Sequence, residues 1–286
     1  MNSIIEIENI SYEIKDKRIL KNINMTINKG EHFALIGING SGKSTLISLI
    51  LSDILPSEGE IRIKGRSPRK FTEWGVLYDF PCLYSELTVD ETIKMFSSLN
   101  NVKYQTAVDK YYTIFEINFI KKSLISELSA GEKRRVSILL SILRPVDLLI
   151  MDEPFSNLDP IMVEKMWSVI KEDNRTILFS SHDWAGVELM ASKIAFIYKG
   201  EIIGKPLSVE ETLKNLPSSK IVTFSEEFMV DELTAFEHYK TGNNISLFYD
   251  KEIDKTDIFS MLNNKNISFN VRKVDIRDAY LYNVLK

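Results

Sequence analysis

With 286 residues, 44% of them hydrophobic and 27% charged, the chain has a globular composition and room for one large domain or two ordinary ones. A net charge of −4 argues against a general nucleic-acid binder, which would carry a basic surface, and a single cysteine, Cys82, excludes an intrachain disulfide. The most apolar stretch, Val136 to Met151, is broken by Arg144-Pro145 and Asp147 and is too short to span a bilayer, so any membrane role runs through a partner.

In chain order, Ile4–Ile10 and Ile23–Ile27 read as strands, and the acids Glu6 and Glu8 distinguish this start from a secretion signal. After a turn at Lys29-Gly30 comes a short apolar strand, His32 to Ile36. It runs into Gly37-Ile38-Asn39-Gly40-Ser41-Gly42-Lys43-Ser44, the pattern G-x-x-x-x-G-K-[ST], and then into an apolar-faced helix from Thr45 to Leu55, stopped by Pro56. That context is what a phosphate-binding loop requires. Its glycines let the backbone turn tightly, so successive N–H groups form an anion nest at the positive end of the helix. Lys43 supplies charge for the β- and γ-phosphates and Ser44 a hydroxyl for Mg²⁺. Residues Gly37 to Thr45 therefore predict a nucleoside triphosphate site.

Glu60–Lys64 reads as a further strand after Pro56-Ser57-Glu58-Gly59. From Val89 to Leu143 the periodicity turns helical, with Ile93, Phe96 and Leu99 on one face and Tyr111, Ile114 and Phe115 on another. Leu148–Met151 and Thr176–Ser180 have the texture of buried strands in a parallel sheet. The order predicts an α/β core carrying an inserted helical subdomain, about residues 80–143. Beyond Pro217 the texture changes. Ile221–Ser225, Ile245–Tyr249 and Ile267–Val271 alternate like strands, with helices expected over Asp254–Leu262 and Asp275–Leu285. The chain thus divides into a nucleotide-binding domain, 1–215, and a small accessory α+β domain, 216–286.

Leu148–Met151 ends in Asp152-Glu153, where one acid can hold Mg²⁺ through water and the next can polarise an attacking water. Upstream lies Leu128-Ser129-Ala130-Gly131-Glu132, and downstream Ser156-Asn157-Leu158-Asp159 and then Ser180-Ser181-His182-Asp183. With the phosphate loop, this ordered set resembles the ATP-binding subunits of ABC transporters over residues 1–215. The resemblance implies a P-loop NTPase core binding ATP and Mg²⁺. It makes Leu128–Glu132 the signature sequence, Ser156–Asp159 the D-loop, His182 the switch histidine and Tyr12 the aromatic residue stacked on adenine. In that scheme Glu153 is the base, and Lys43 and His182 act on the γ-phosphate. Ser129, Gly131 and Glu132 face the ATP of a second ATP-binding subunit, identical or not. Ser129 and Glu132 also form a capping box in their own right.

The sequence leaves the family pattern in two places. Ala130 stands where glycine is usual and Glu132 where glutamine is common. In Trp74 to Tyr84, Asp79 occupies the position of a glutamine that touches Mg²⁺ and water, bringing a carboxylate toward the γ-phosphate. The C-terminal segment, closing with Val274 to Leu281, is similar to those of ATPases serving ABC-2 type exporters of drugs and antimicrobial peptides. The implied protein works at the cytoplasmic face of the cell membrane through an integral membrane permease, whose coupling helix meets Phe80–Val89. An importer subunit is the near alternative. A soluble ABC ATPase regulating some other partner is the distant one, and the chain shows neither the long insertions nor the doubled nucleotide domains of such proteins.

Overall fold

The computed structural model describes residues 3–285 except 172–174, 229–232, 234, 251 and 265. Strands β1 (Ser3–Ile14) and β2 (Lys17–Asn28) form a hairpin closed by Lys15 and Asp16, both at positive φ as the strand twist demands. Alternation places Ile5, Ile7 and Ile10 of β1 opposite Ile27, Met25 and Ile23 of β2, all buried. Strand β3 (His32–Ile36) leads into helix α1 (Lys43–Leu51), and β4 (Glu58–Ile63) returns to the hairpin, giving an antiparallel sheet ordered β2-β1-β4. Helix α1 stops short of Pro56 because Ser52 adopts a left-handed conformation and Asp53 N–H donates to the Ser48 carbonyl.

The central sheet begins at β5 (Trp74–Leu77). A helical segment follows: α2 (Val89–Leu99), α3 (Tyr104–Tyr111), α4 (Ile117–Ile120) and α5 (Ala130–Ile142). Val89, Ile93, Tyr111 and Phe115 enter its core, whereas Leu99, expected inside, is 71% exposed because α2 ends there in an Asn100 cap. The chain then lays down β6 (Leu148–Met151), α6 (Pro160–Ile170), β7 (Thr176–Ser181), α7 (Trp184–Met190), β8 (Lys193–Tyr198), β9 (Glu201–Leu207) and α8 (Val209–Lys214). The sheet order is β5-β6-β7-β3-β8-β9, parallel except for the β8–β9 hairpin. Strands β6 and β7 are buried on both faces, which explains their unbroken apolar character.

The C-terminal segment adds an antiparallel sheet of β10 (Lys220–Ser225), β11 (His238–Thr241), β12 (Asn244–Tyr249) and β13 (Asn270–Lys273), ordered β11-β12-β10-β13, with helices α9 (Glu252–Asn264) and α10 (Ile276–Leu285). Strand β13 starts later than expected because Ile267 N–H turns back to the Leu262 carbonyl and its side chain joins the core beneath α9. One face of the sheet buries Val222, Phe224 and Leu247 with Ile258 and Leu262 of α9. The opposite face, through Ile221, Tyr239 and Phe248, is continuous with the main core.

Helix α10 lies at that junction. Its buried Tyr280 ring meets Trp184, Phe196 and Tyr198 at centroid distances of 5.0, 5.6 and 6.4 Å. The Tyr280 hydroxyl lies beside the Ile38 backbone of the glycine-rich loop without completing a hydrogen bond. Asp278, fully buried, accepts from Arg272 of β13 and Tyr239 of β11, and Ile276 N–H donates to Glu188 of α7 at 2.8 Å. Truncation at Pro217 would retain every nucleotide motif yet expose this aromatic face. Calorimetry of the truncated chain should show the melting midpoint lowered by about 5–10 °C, the cost of uncovering a few large side chains. The folded fraction should still bind ATP. An unchanged midpoint would remove any stabilising role for α10.

Candidate active site

Residues Gly37–Gly42 join β3 to α1 as a turn whose apex, Ile38 to Gly40, is exposed. Gly42 has φ 112°, a conformation that favours glycine, and a Cβ there would sit 2.7 Å from Leu20 Cδ2, which would have to shift. Leu20 is the cross-strand partner of Tyr12, so the β1–β2 hairpin reaches the loop at this point. Ser44 is exposed, Thr45 half-buried and Asn39 exposed. Ser41 is 3% exposed with a hydroxyl that has no partner. A buried orphan hydroxyl inside a glycine turn at a helix N-terminus fits a phosphate group.

Lys43 is folded back over the loop, its Nζ 2.8 Å from the Gly37 carbonyl oxygen and 3.3 Å from Glu153 Oε1. The other carboxylate oxygen, Oε2, is 2.8 Å from His182 Nδ1. The structure thus draws Lys43, Glu153 and His182 into one chain of charge-assisted contacts from residues far apart in sequence. Glu153 itself has φ 47°, a left-handed conformation that costs free energy for a side chain of this size. Its N–H donates to Ser180 Oγ, which in turn donates to Asp152 Oδ1 at 2.5 Å, and Asp152 is 5% exposed. With one Asp152 oxygen so occupied, the other and the Ser44 hydroxyl are hard oxygen donors of the kind Mg²⁺ takes alongside phosphate. Among the described residues no group of three His, Cys, Asp or Glu side chains could hold a metal alone. Mg²⁺ would therefore depend on nucleotide oxygens here.

Ser129 caps α5, its Oγ accepting from Glu132 N–H, while Glu132 Oε2 accepts from the Ser129 hydroxyl and from Ser129 N–H, and these last two bonds hold the Glu132 carboxyl below its ordinary pKa. Ala130 occupies the first helical position without positive φ, so the missing glycine introduces no strain. Gly131 is needed for closeness: a Cβ there would lie 2.8 Å from the Asn157 carbonyl oxygen. The signature therefore rests on the Ser156–Asp159 segment. Asp159 caps α6 by accepting from Met162 N–H. Among the described residues, no hydrogen bond or ion pair joins Ser129, Gly131 or Glu132 to the Gly37–Thr45 loop of the same chain.

Sequence reasoning missed Arg134, 2% exposed on α5. Its guanidinium donates to the Tyr78 and Asp79 carbonyls at 2.7 and 3.1 Å, to the Pro154 and Asp152 carbonyls at 2.8 and 2.6 Å, and to the Glu153 carbonyl. Asp79, though its side chain is exposed, is therefore anchored by its backbone. Burial works against the Arg134 charge, and the carboxylates of Asp79, Asp152 and Glu153 work for it.

The ABC transporter family model matches residues 20–156. The chain is 33% identical over 225 residues to the lantibiotic transport ATP-binding protein SrtF of Streptococcus pyogenes, covering 77% of this chain and 98% of that one. The chain belongs to the ATP-binding subunits of ABC transporters. As such it is an ATPase that energises a transporter. The bacitracin transport ATP-binding protein BcrA of Enterococcus faecalis is 28% identical over 212 residues, covering 71% of this ABC subunit and 69% of BcrA. The cbiO1 structure from Clostridium perfringens, part of the ABC transporter complex cbiONQ, superposes with a TM-score of 0.63 at 27% identity, over 75% of this chain and 92% of that one. The mixed α/β fold is accordingly that of the ABC ATPases. No helix among the described residues is long and apolar enough to cross a membrane.

Proposed function

We propose that this ABC subunit drives an exporter of amphipathic or antimicrobial peptides, bound to an integral membrane permease at the cytoplasmic face of the cell membrane. The two curated relatives carry transport of such peptides in their names, and the C-terminal segment resembles those of ABC-2 exporters. The groove between Trp74, Leu83, Phe96 and Leu140, beside the 82%-exposed Phe80, suits an apolar helix of the permease.

The observation that carries the catalytic reading is Glu153 held between Lys43 and His182. In this reading ATP is cradled by Gly37–Thr45 with its adenine on Tyr12, and Lys43 exchanges Glu153 for the β- and γ-phosphates. Glu153, released, takes a proton from the attacking water, while His182 orients it and donates toward the γ-phosphate. Mg²⁺, held by Ser44 and through water by Asp152 and Asp79, would neutralise phosphoryl charge. Among the described residues the α5 N-terminus, with Ser129, Gly131 and Glu132, makes no hydrogen bond or ion pair to its own loop, and in this reading it closes over the ATP of a second subunit. ATP then favours the closed pair and hydrolysis releases it.

Deleting the gene from its host should raise sensitivity to amphipathic peptide antibiotics. The wild-type gene should restore resistance and the Glu153→Gln variant should not. Unchanged sensitivity, with loss of uptake of some solute instead, would favour an importer.

Asp79 adds a carboxylate near the γ-phosphate, an interaction of about 1–4 kcal/mol depending on dielectric unless Mg²⁺ lies between. Hydrolysis by the native protein should therefore rise more steeply with Mg²⁺ than hydrolysis by Asp79→Gln, which should bind metal-free ATP as well or better. Superimposable Mg²⁺ titrations would exclude an electrostatic role for Asp79.

A further inference from the structure

Arg134 is a buried cation whose hydrogen-bond acceptors are all backbone carbonyls. Among the described residues no carboxylate forms an ion pair with it. Removing a guanidinium from water is costly, and five peptide dipoles offset that cost only if all of them stay in place. The carbonyls come from two separate stretches: Tyr78 and Asp79 after β5, and Asp152, Glu153 and Pro154 after β6. Three of these five residues bear carboxylates, and Glu153 is in a strained left-handed conformation. A carboxylate is aimed by its backbone, so whatever fixes the Glu153 peptide fixes the direction of its Oε atoms. The planar, forked guanidinium can serve two stretches together, which a point-charge ammonium cannot. Arg134 also stands one turn beyond Ser129, on the helix whose N-terminus carries Gly131 against Asn157.

We propose that Arg134 is a positioning residue for hydrolysis. It locks the turn bearing Asp152 and Glu153 and the loop bearing Asp79 to α5, so that all three acids move as one body with the signature helix. The role rests on Glu153 being the base. It requires no contact between Arg134 and nucleotide, and none of its bonds reaches Gly37–Thr45.

The test is Arg134→Lys beside Arg134→Gln, with ATPase kinetics, affinity for a fluorescent ATP analogue and melting midpoint measured on each purified full-length protein. Expected is a fall in kcat of about 10- to 100-fold from misaligned acids. Analogue affinity should stay within about threefold, because the phosphate loop is untouched. Arg134→Lys keeps the buried charge and carries the test if Arg134→Gln does not fold. In single turnover, Glu153→Gln/Arg134→Lys should be no slower than Glu153→Gln alone, since Arg134 acts through the carboxylate already removed. Amide exchange should quicken in residues 78–82 and 152–155 but not in α1. Native kcat in folded Arg134→Lys, equal losses of kcat and affinity, or a double variant slower by the full product would each overturn the proposal. Should Glu153→Gln itself hydrolyse ATP normally, the catalytic reading fails instead, and the two failures are distinguishable.

Discussion

Glu153→Gln should slow ATP hydrolysis about 10²–10⁴-fold, the range expected when a positioned base is lost. Glutamine keeps the size of the side chain and can still accept from Lys43, but it cannot take a proton from water. Nucleotide affinity should hold or improve. In the proposed mechanism Lys43 leaves Glu153 Oε1, 3.3 Å away, for phosphate, and a neutral amide would let go more easily. A phosphate-release assay gives the rate, and size-exclusion with and without Mg-ATP should show the variant shifting to a dimer. Undiminished release would mean that another group is the base.

Lys43→Ala should weaken ATP binding about 10–100-fold, the loss expected when a hydrogen-bonded charge partner of phosphate is deleted. The substitution acts on the resting protein too. Lys43 is 6% exposed, and without it the Gly37 carbonyl loses a donor and, among the described residues, the Glu153 carboxylate keeps only His182. Equilibrium binding of a fluorescent ATP analogue reads the first effect. Unaltered affinity would place the phosphates away from this loop.

Much of the site was legible because its parts are local. The glycine loop, the strand ending in Asp152-Glu153 and the capped signature each carry their chemistry within a few consecutive residues. The strand–loop–helix order fixed the fold class for the same reason. Strand β5 carries no clear strand signal, because its four residues include Gly75, present where a Cβ would meet the Ser141 carbonyl of α5 at 2.2 Å. The β8–β9 hairpin had an available signal in Lys199-Gly200, both at positive φ, and α6 had one in Asp159-Pro160. Arg134 left no such signal. Its meaning lies in carbonyls that converge only after two loops have folded, and no pattern of side chains announces where a backbone oxygen will point. The resting contact of Glu153 with both Lys43 and His182 was hidden likewise, since roles assigned to bound nucleotide say nothing of how the same groups pair before it arrives.

The packing of Tyr280 also sets an order of events during synthesis. Trp184, Phe196 and Tyr198 leave the ribosome long before the helix that covers them, with the whole β10–β13 sheet still to be made. A nascent chain that has already formed its glycine loop and parallel sheet therefore carries an uncovered aromatic face, the kind of surface on which chaperones act and neighbouring chains aggregate. Only when α10 docks is that face closed, so stalled or prematurely ended translation products should be removed by proteolysis before they accumulate.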